Sequence, residues 1–379
     1  MSSPKQYFTS IDGLRLLASI NIVLFHLVQI GGLYDLRGSP AWLFRILKGP
    51  AFHASLFFIL AGFIYTVKYA PLADTFSTRA LVKGRIRDLF PLHALTALAM
   101  LPFVIIPCIG AACLNIPKIL FTSAIHLSMT WSIFPFFTYN LNTPSWALSA
   151  FFLCYFLFGP MLRRVVLITN RRAIVALMGA CLVPGILWSF LYAGLGREQL
   201  YTVFHIFAPV RSFEFILGML LARLFHLNNV KPRAVKVRDI PFLNDGIILS
   251  AFALVYLTLI WRAGAGMLGR WMFYHVVLLP LYALLLYRLA RGDGWIARAF
   301  AWKPVNQLGK AGFYPYLVHI PLISWTCWTA EHAFGYKKLL HSPVNVLLLM
   351  VVLYGGSWLY WRGARKRKRS TYRGHDKNA

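Results

Sequence analysis

Acidic residues are scarce in this chain of 379 residues: 11 Asp and Glu stand against 39 Lys and Arg, a formal net charge of +28. Charge of either sign is scarce too, at 13% of residues, while 59% are hydrophobic. Only five cysteines occur (Cys108, Cys113, Cys154, Cys181, Cys327), scattered through apolar segments. None forms a CxxC pair or sits at metal-ligand spacing, so neither a disulfide framework nor a metal site is expected. The chain lacks a G-x-S-x-G element, an HExxH pair and a P-loop, and no Ser-His-Asp constellation can be assembled. It also lacks a basic helix interleaved with base-stacking aromatics, so the excess of Lys and Arg does not read as a nucleic-acid surface. There is no long-period repeat, and the one low-complexity tract is the basic segment Arg362 to Gly374.

What the chain has in abundance is apolar length. Mean hydropathy is +0.62, and several stretches approach the roughly 20 residues that span a bilayer. Eleven are discernible: 11–30, 50–67, 91–112, 119–139, 146–162, 173–193, 204–222, 246–261, 271–290, 312–330 and 343–361. The first is too long for a signal-peptide core and has no small-residue cleavage site after it, so it is expected to remain as the first membrane helix. Basic residues mark the cytoplasmic connections. Lys68, Arg79, Lys83, Arg85 and Arg87 place 68–90 inside, and Arg163, Arg164, Arg171 and Arg172 place 163–172 inside. Two crossings fit between those loops, yet three apolar segments lie there. Segment 119–139, broken by Pro135 and rich in Ser, Thr and aromatics, is therefore the re-entrant or interfacial one. The fold class read from the sequence is an all-α polytopic membrane protein. It has about ten transmembrane helices plus that segment, and both termini are cytoplasmic. Loops 223–245 and 291–311 fall inside, and the whole chain, 1–379, reads as a single membrane domain with a basic cytoplasmic tail at 362–379. That tail could touch anionic lipid.

Ionisable residues inside membrane helices are costly, and by default they mark a pathway or a site. Arg15 and His26 lie eleven residues apart in SIDGLRLLASINIVLFHLVQI, Ser10 to Ile30. Eleven steps of about 100° return to within roughly 20°, so both share one helix face, about 16 Å apart along the axis. An imidazole can act as a general base near neutral pH. Asp12 precedes Arg15 by three residues and is expected either to pair with it or to cap the helix. Arg85 and Arg87, just before Pro91, are either topology signals or phosphate ligands, since a planar guanidinium fork suits phosphate oxygens. Arg211 and Glu214 form an i, i+3 pair of opposite charge, with a packing role and a functional role both open. His319, alone on an apolar helix, reads more readily as a structural histidine. At this level an enzyme, a transporter and a lipid-binding scaffold are all compatible with the residues.

Six motifs occur in an order that resembles the acyltransferase-3 family of integral-membrane acyltransferases, which modify sugars of bacterial surface polysaccharides. IDGLRLLASINIVLFH resembles that family's opening Arg, ten residues, His. FFILAGF (Phe57 to Phe63) is similar to its second-helix motif, with Ala61 in place of Ser. KGRIRDLFPLH resembles its Arg-rich element before a proline, PSWALSAFFLCYFLFGP its WSLSxExxFY segment, and RSFEFILGMLLA and LGKAGFYPYLVHIPLI its later helices. The resemblance spans residue 8 to about 325. Two positions depart from the pattern. Phe151 stands where the family usually has Glu after the WSLS element, and Asp88 stands where its second Arg typically falls.

The resemblance implies a membrane O-acyltransferase in a bacterial cytoplasmic membrane. It would move an acyl group, commonly acetyl, from a cytoplasmic acyl-CoA to a hydroxyl of an exported or lipid-linked glycan. His26 would be the catalytic histidine, and Arg15, Arg85 and Arg87 would hold the donor. Asp12, Trp146, Ser149, Arg211, Glu214 and His319 would be supporting or acceptor-side residues. Acyl-CoA would enter as a substrate, with no bound cofactor or metal. Some members carry a fused hydrolase-like domain, which this sequence does not display. Direct transfer, or hand-off to another polysaccharide-assembly protein, is therefore expected. A lipid-linked glycan transporter or flippase, or an inactive assembly partner favoured by Phe151, are the competing expectations.

Overall fold

The structure, a computed structural model, describes residues 8–30, 45–46, 53–110, 115–134, 141–196, 201–229, 241–261 and 265–375. Within these residues the regular elements are all helical. Helix α1 is Thr9–Ile30, α2 His53–Tyr69, α3 Thr78–Gly110, α4 Ile116–Leu127 and α5 Trp146–Leu167. There follow α6 (Arg171–Ala180), α7 (Val183–Leu195), α8 (Tyr201–Ile206), α9 (Ala208–Asn229) and α10 (Pro241–Trp261). The chain continues with α11 (Met267–Met272), α12 (Leu279–Arg291), α13 (Trp295–Ala301), α14 (Lys303–Ala311), α15 (Phe313–Phe334) and α16 (Pro343–His375).

Nine helical stretches among the described residues are long and apolar enough to cross a bilayer, so the chain is a polytopic membrane protein. The tenth expected crossing is α15. Its 22 residues reach about 33 Å, but Pro, His, Ser, Thr and Glu dilute its apolarity and it falls outside the nine. The expected non-crossing segment 119–139 corresponds to α4 and the turns after it, up to residue 134. With 12 residues, α4 reaches only about 18 Å, well short of a roughly 30 Å hydrocarbon core.

Several expected loops are helical, which corrects the sequence reading. Helix α3 begins at Thr78 and not at Pro91, so Lys83, Arg85 and Arg87 ride on it, and Pro91 lies inside it. Proline removes one backbone donor, which a long helix tolerates when neighbours compensate. Residues 223–229 prolong α9, and Pro241 opens α10. Stretch 291–311 holds α13 and α14. The basic tail continues α16 without a break to His375.

Two of the quoted motifs meet at the centre. Helices α2 and α9 cross so closely that a Cβ on Gly62 would collide with the Phe215 carbonyl, and one on Gly218 with the Ile59 carbonyl. This reciprocal glycine contact brings the backbones together where van der Waals packing, rather than water exclusion, holds helices in lipid. Around it Phe58, Phe63, Phe158 and Phe215 are buried. Helix α1 packs against α14 and α15. Its Ser19 hydroxyl donates to Gly312 O at 3.3 Å, and seven residues further along both helices His26 meets His319. Equal spacing on both chains means that α1 and α15 run parallel in register.

Candidate active site

The histidine pair lies at this α1–α15 seam. His319 is fully buried, and its Nδ1 lies 3.0 Å from Pro315 O. A carbonyl can only accept, so Nδ1 carries the proton, and in a neutral imidazole Nε2 is then a lone-pair acceptor. That Nε2 faces His26 Nδ1 at 3.1 Å. His26 Nδ1 must therefore be the protonated nitrogen, and it also lies 3.0 Å from Ile22 O. The hydrogen bonds thus fix both tautomers and leave His26 Nε2 with its lone pair. His26 is half-buried, and no partner among the described residues occupies that nitrogen. His319, expected as a lone core histidine, is instead the partner that orients His26. Pro321 lacks the N–H that would bond Leu317 O, and the Asn142 side-chain amide donates to that carbonyl at 2.9 Å.

Arg15 lies on the same α1 face, toward the helix start. It donates to Asp12 Oδ1 at 2.7 Å and approaches Gly309 O at 3.4 Å, while Asn306 donates to Asp12 Oδ2 at 3.0 Å. Because α1 begins at Thr9, Asp12 lies inside the first turn and is not the N-cap. Of the two expected roles, ion pairing is the one it fills. A Cβ on Gly309 would strike the Asp12 carbonyl, so glycine permits α14 to close on α1 here.

Arg85 and Arg87 face different sides of α3. Two residues turn a helix by about 200°, and the side chains diverge. Arg87 is exposed and 3.9 Å from Asp88. Arg85 turns inward, its Cζ 5.0 Å above the Tyr65 ring and 5.9 Å from that of Tyr155. From there an aromatic column runs through α2 and α5. Tyr65 meets Tyr155 at 5.5 Å, Phe151 stacks on Tyr155 at 6.1 Å, Phe58 on Phe151 at 4.4 Å, and Trp146 on Phe58 at 6.0 Å. The position that departs from the family pattern, Phe151, is thus a middle rung, and a carboxylate there would lie buried among rings.

Arg211 closes the far end of the column, 5.7 Å above Trp146. Its guanidinium is saturated. Nη1 donates to Glu214 at 2.6 Å, to Ser55 at 3.2 Å and to Tyr274, and Nε and Nη2 reach His205 O. Both charged residues are at most 2% exposed. The cation, with every donor engaged, ties α2 and α9 together, and the second carboxylate oxygen of Glu214 is buried with no partner among the described residues. Ser149 likewise serves the frame, accepting from Ser132 N at 3.1 Å and Ser132 Oγ at 2.7 Å. The structure joins His26 to His319 at the α1–α15 seam, sets Asp12 and Arg15 against α14 on the same α1 face, and brings Trp146, Arg211 and Glu214 together elsewhere.

Sequence reasoning missed His93, His126 and Asn142, all fully or nearly buried. Intramembrane histidines in PLHAL and AIHLS carry the same signal as His26, but no motif drew attention to them.

Residues 8–362 match the family described as an acyltransferase domain, acyltransferase-3. The chain belongs to the acyltransferase-3 family. Proteins named "Putative O-acetyltransferase" in Staphylococcus aureus strains COL, MSSA476 and MRSA252 are each 23% identical to it over 341 residues, covering 84% of this chain and 51% of theirs. The chain therefore spans about half the length of these curated relatives. No solved structure matches it. The acyltransferase-3 match begins at the residue before α1 and ends within α16, so both partners of the histidine pair lie inside it.

Proposed function

We propose that the chain is a membrane O-acyltransferase that moves an acyl group, acetyl in the first instance, from acyl-CoA to a sugar hydroxyl. The observation that carries this reading is the pair of fixed tautomers that leaves His26 Nε2 unprotonated and without a partner among the described residues. In the proposed step the acceptor O–H gives its proton to His26 Nε2, and the oxygen attacks the thioester carbonyl carbon. The C–S bond then breaks, and the sulfur takes the proton back from Nε2. The products are an ester and a free thiol. His319 keeps Nδ1 of His26 protonated and the ring aligned, and in the charged intermediate its Nε2 accepts from that nitrogen.

Arg15 and Arg85 hold the donor's phosphates, while Arg87, on the opposite helix side, does not. The basic connections support an orientation with both termini in the cytoplasm, acyl-CoA arriving there and the glycan accepting on the far side of a bacterial cytoplasmic membrane. An inactive assembly partner is the second reading, favoured by Phe151 filling the place of the family's usual Glu.

The test is transfer from labelled acetyl-CoA by the purified chain, parent against His26→Gln. General-base help contributes about 10²–10⁴ in rate, so the variant should lose transfer by that factor while inserting normally. Near-parental transfer by His26→Gln would overturn proton abstraction. Absence of thioester turnover in the parent would favour the inactive partner.

A further inference from the structure

Four buried polar atoms with no partner among the described residues belong to one cluster: His93 Nδ1, His126 Nδ1, Trp131 Nε1 and Asn142 Oδ1. None of the four residues is more than 2% exposed. They are contiguous. The His93 and His126 rings stack at 5.1 Å and 23°, and His126 stacks on Trp131 at 5.3 Å and 26°. His126 Nε2 lies 3.0 Å from Ser145 Oγ, which donates to Asn142 O at 2.7 Å.

The protonation states follow from these bonds. Ser145 spends its hydrogen on a carbonyl, so it accepts from His126 Nε2, and the lone pair of His126 is on Nδ1. His93 Nε2 lies 3.1 Å from His126 O and must donate there, so its lone pair is on Nδ1 too. Asn142 uses its amide hydrogens on Thr96 Oγ1 and Leu317 O, both at 2.9 Å, which leaves Oδ1 as an acceptor. The cluster therefore presents three acceptors and one donor, the indole N–H.

That set selects its ligand. A buried polar atom left unpaired costs about 1–3 kcal/mol, so four together call for a partner. An anion would face three lone pairs. A metal ion would need lone pairs that converge at about 2 Å, whereas those of nearly parallel stacked rings stay in separate planes. A hydroxyl both donates and accepts, and a hydroxyl-rich molecule offers several. Because the atoms are enclosed, what reaches them is small, such as a hydroxyl or hydroxymethyl arm. Met129, in the turn between His126 and Trp131, has φ of 57°, the only positive value for a non-glycine among the described residues. Such strain persists where surrounding structure imposes it, often at ligand clamps. The cluster adjoins the histidine pair through α15, since Asn142 bonds Leu317 O two residues from His319.

We propose that His93, His126, Trp131 and Asn142 form the subsite that holds a hydroxyl arm of the acyl acceptor, built from α3, α4, the turn that follows it and the turn that leads into α5. This rests on the acyl-transfer reading for its role, but not for its chemistry, so binding and transfer are measured separately. The probe is methyl β-glucoside, added to the full chain in phosphatidylethanolamine–phosphatidylglycerol nanodiscs. Binding is read by saturation-transfer NMR, and transfer by acyl ester formed from labelled acetyl-CoA.

Trp131→Phe keeps an aromatic ring and removes the indole N–H. It should weaken glucoside binding about 2- to 12-fold, the worth of one neutral hydrogen bond, and raise the glucoside KM alike with the acetyl-CoA KM unchanged. His93→Phe, which keeps the stack, should do the same. Weakened binding in the two ring variants without ester formation by the parent would sustain the subsite and sink the transfer reading. Ester formation with glucoside binding and KM unmoved in both variants would overturn the subsite and leave it an internal water site only. So would failure of the parent to bind glucoside.

Discussion

The two ionisable clusters buried in this helical bundle look alike by composition and differ in valence. At the α1–α15 seam, His26 and His319 use three of their four ring nitrogens on each other and on carbonyls, and one lone pair on half-buried His26 is left over. In the α2–α9 centre, Arg211 and Glu214 are drawn into a network with Ser55, His205 and Tyr274 that engages every guanidinium nitrogen. The rule that an intramembrane charge marks function does not separate them. Where the unused acceptor lies does: Glu214 Oε2 is buried and unpaired beside a fully engaged guanidinium, whereas His26 Nε2 belongs to a half-buried ring. An open valence at a reachable place can do chemistry, and a cation with every donor engaged fixes where helices sit.

The largest expected effect comes from breaking the Arg211–Glu214 pair. Arg211→Met strands Glu214 in the core, and removing one partner of a buried pair costs about 3–5 kcal/mol. Thermal unfolding in detergent should shift sharply downward, and Arg211→Met combined with Glu214→Leu should recover part of the loss because no charge is then buried alone. The molecules that remain folded should transfer acyl groups at the parental rate. A folded, fully stable Arg211→Met that has lost transfer would put Arg211 in the chemistry and erase the distinction.

The next effect sharpens the same contrast on a single helix. Arg85 turns inward to face Tyr65 and Tyr155, whereas Arg87 is exposed beside Asp88. Arg85→Ala should raise the acetyl-CoA KM by the equivalent of about 1.5–3 kcal/mol, the range for a hydrogen bond to a charged group. Arg87→Ala should leave it within about 2-fold, as expected for a screened surface charge. Equal effects from both would show that the donor spans the two faces.

How far the sequence reveals this depends on the range of the interaction. Helix α1 and the shared face of Arg15 and His26 are legible because 3.6-residue periodicity is local. The divergence of Arg85 from Arg87 is equally local, a matter of two residues on a helix, and was hidden only because Pro91 was read as the helix start. The His26–His319 bond joins positions 293 apart in sequence, and no pattern within either helix announces it. The saturation of Arg211 is invisible for the same reason, since Ser55 and Tyr274 arrive from other helices. The reciprocal contact of Gly62 and Gly218 accounts physically for a glycine in each of two motifs that, read separately, say nothing about meeting.

The smallest effect is the most discriminating, because it tests whether His319 acts through His26. Its Nε2 shares the proton on His26 Nδ1 with Ile22 O, so losing it removes one of the two acceptors that hold the His26 ring in its base-competent tautomer and orientation. His319→Leu should lower kcat about 2- to 12-fold, the kinetic equivalent of a 0.5–1.5 kcal/mol hydrogen bond, with the acetyl-CoA KM unchanged. His319→Gln can present its side-chain oxygen to the same Nδ1–H and should restore most of the loss. A histidine that only fills space would behave otherwise. Leucine would be tolerated, glutamine would bring an unpaired amide into a fully buried position, and the order of the two variants would reverse. Measuring kcat for both, at matched folded fraction, decides whether the buried imidazole orients the reactive one.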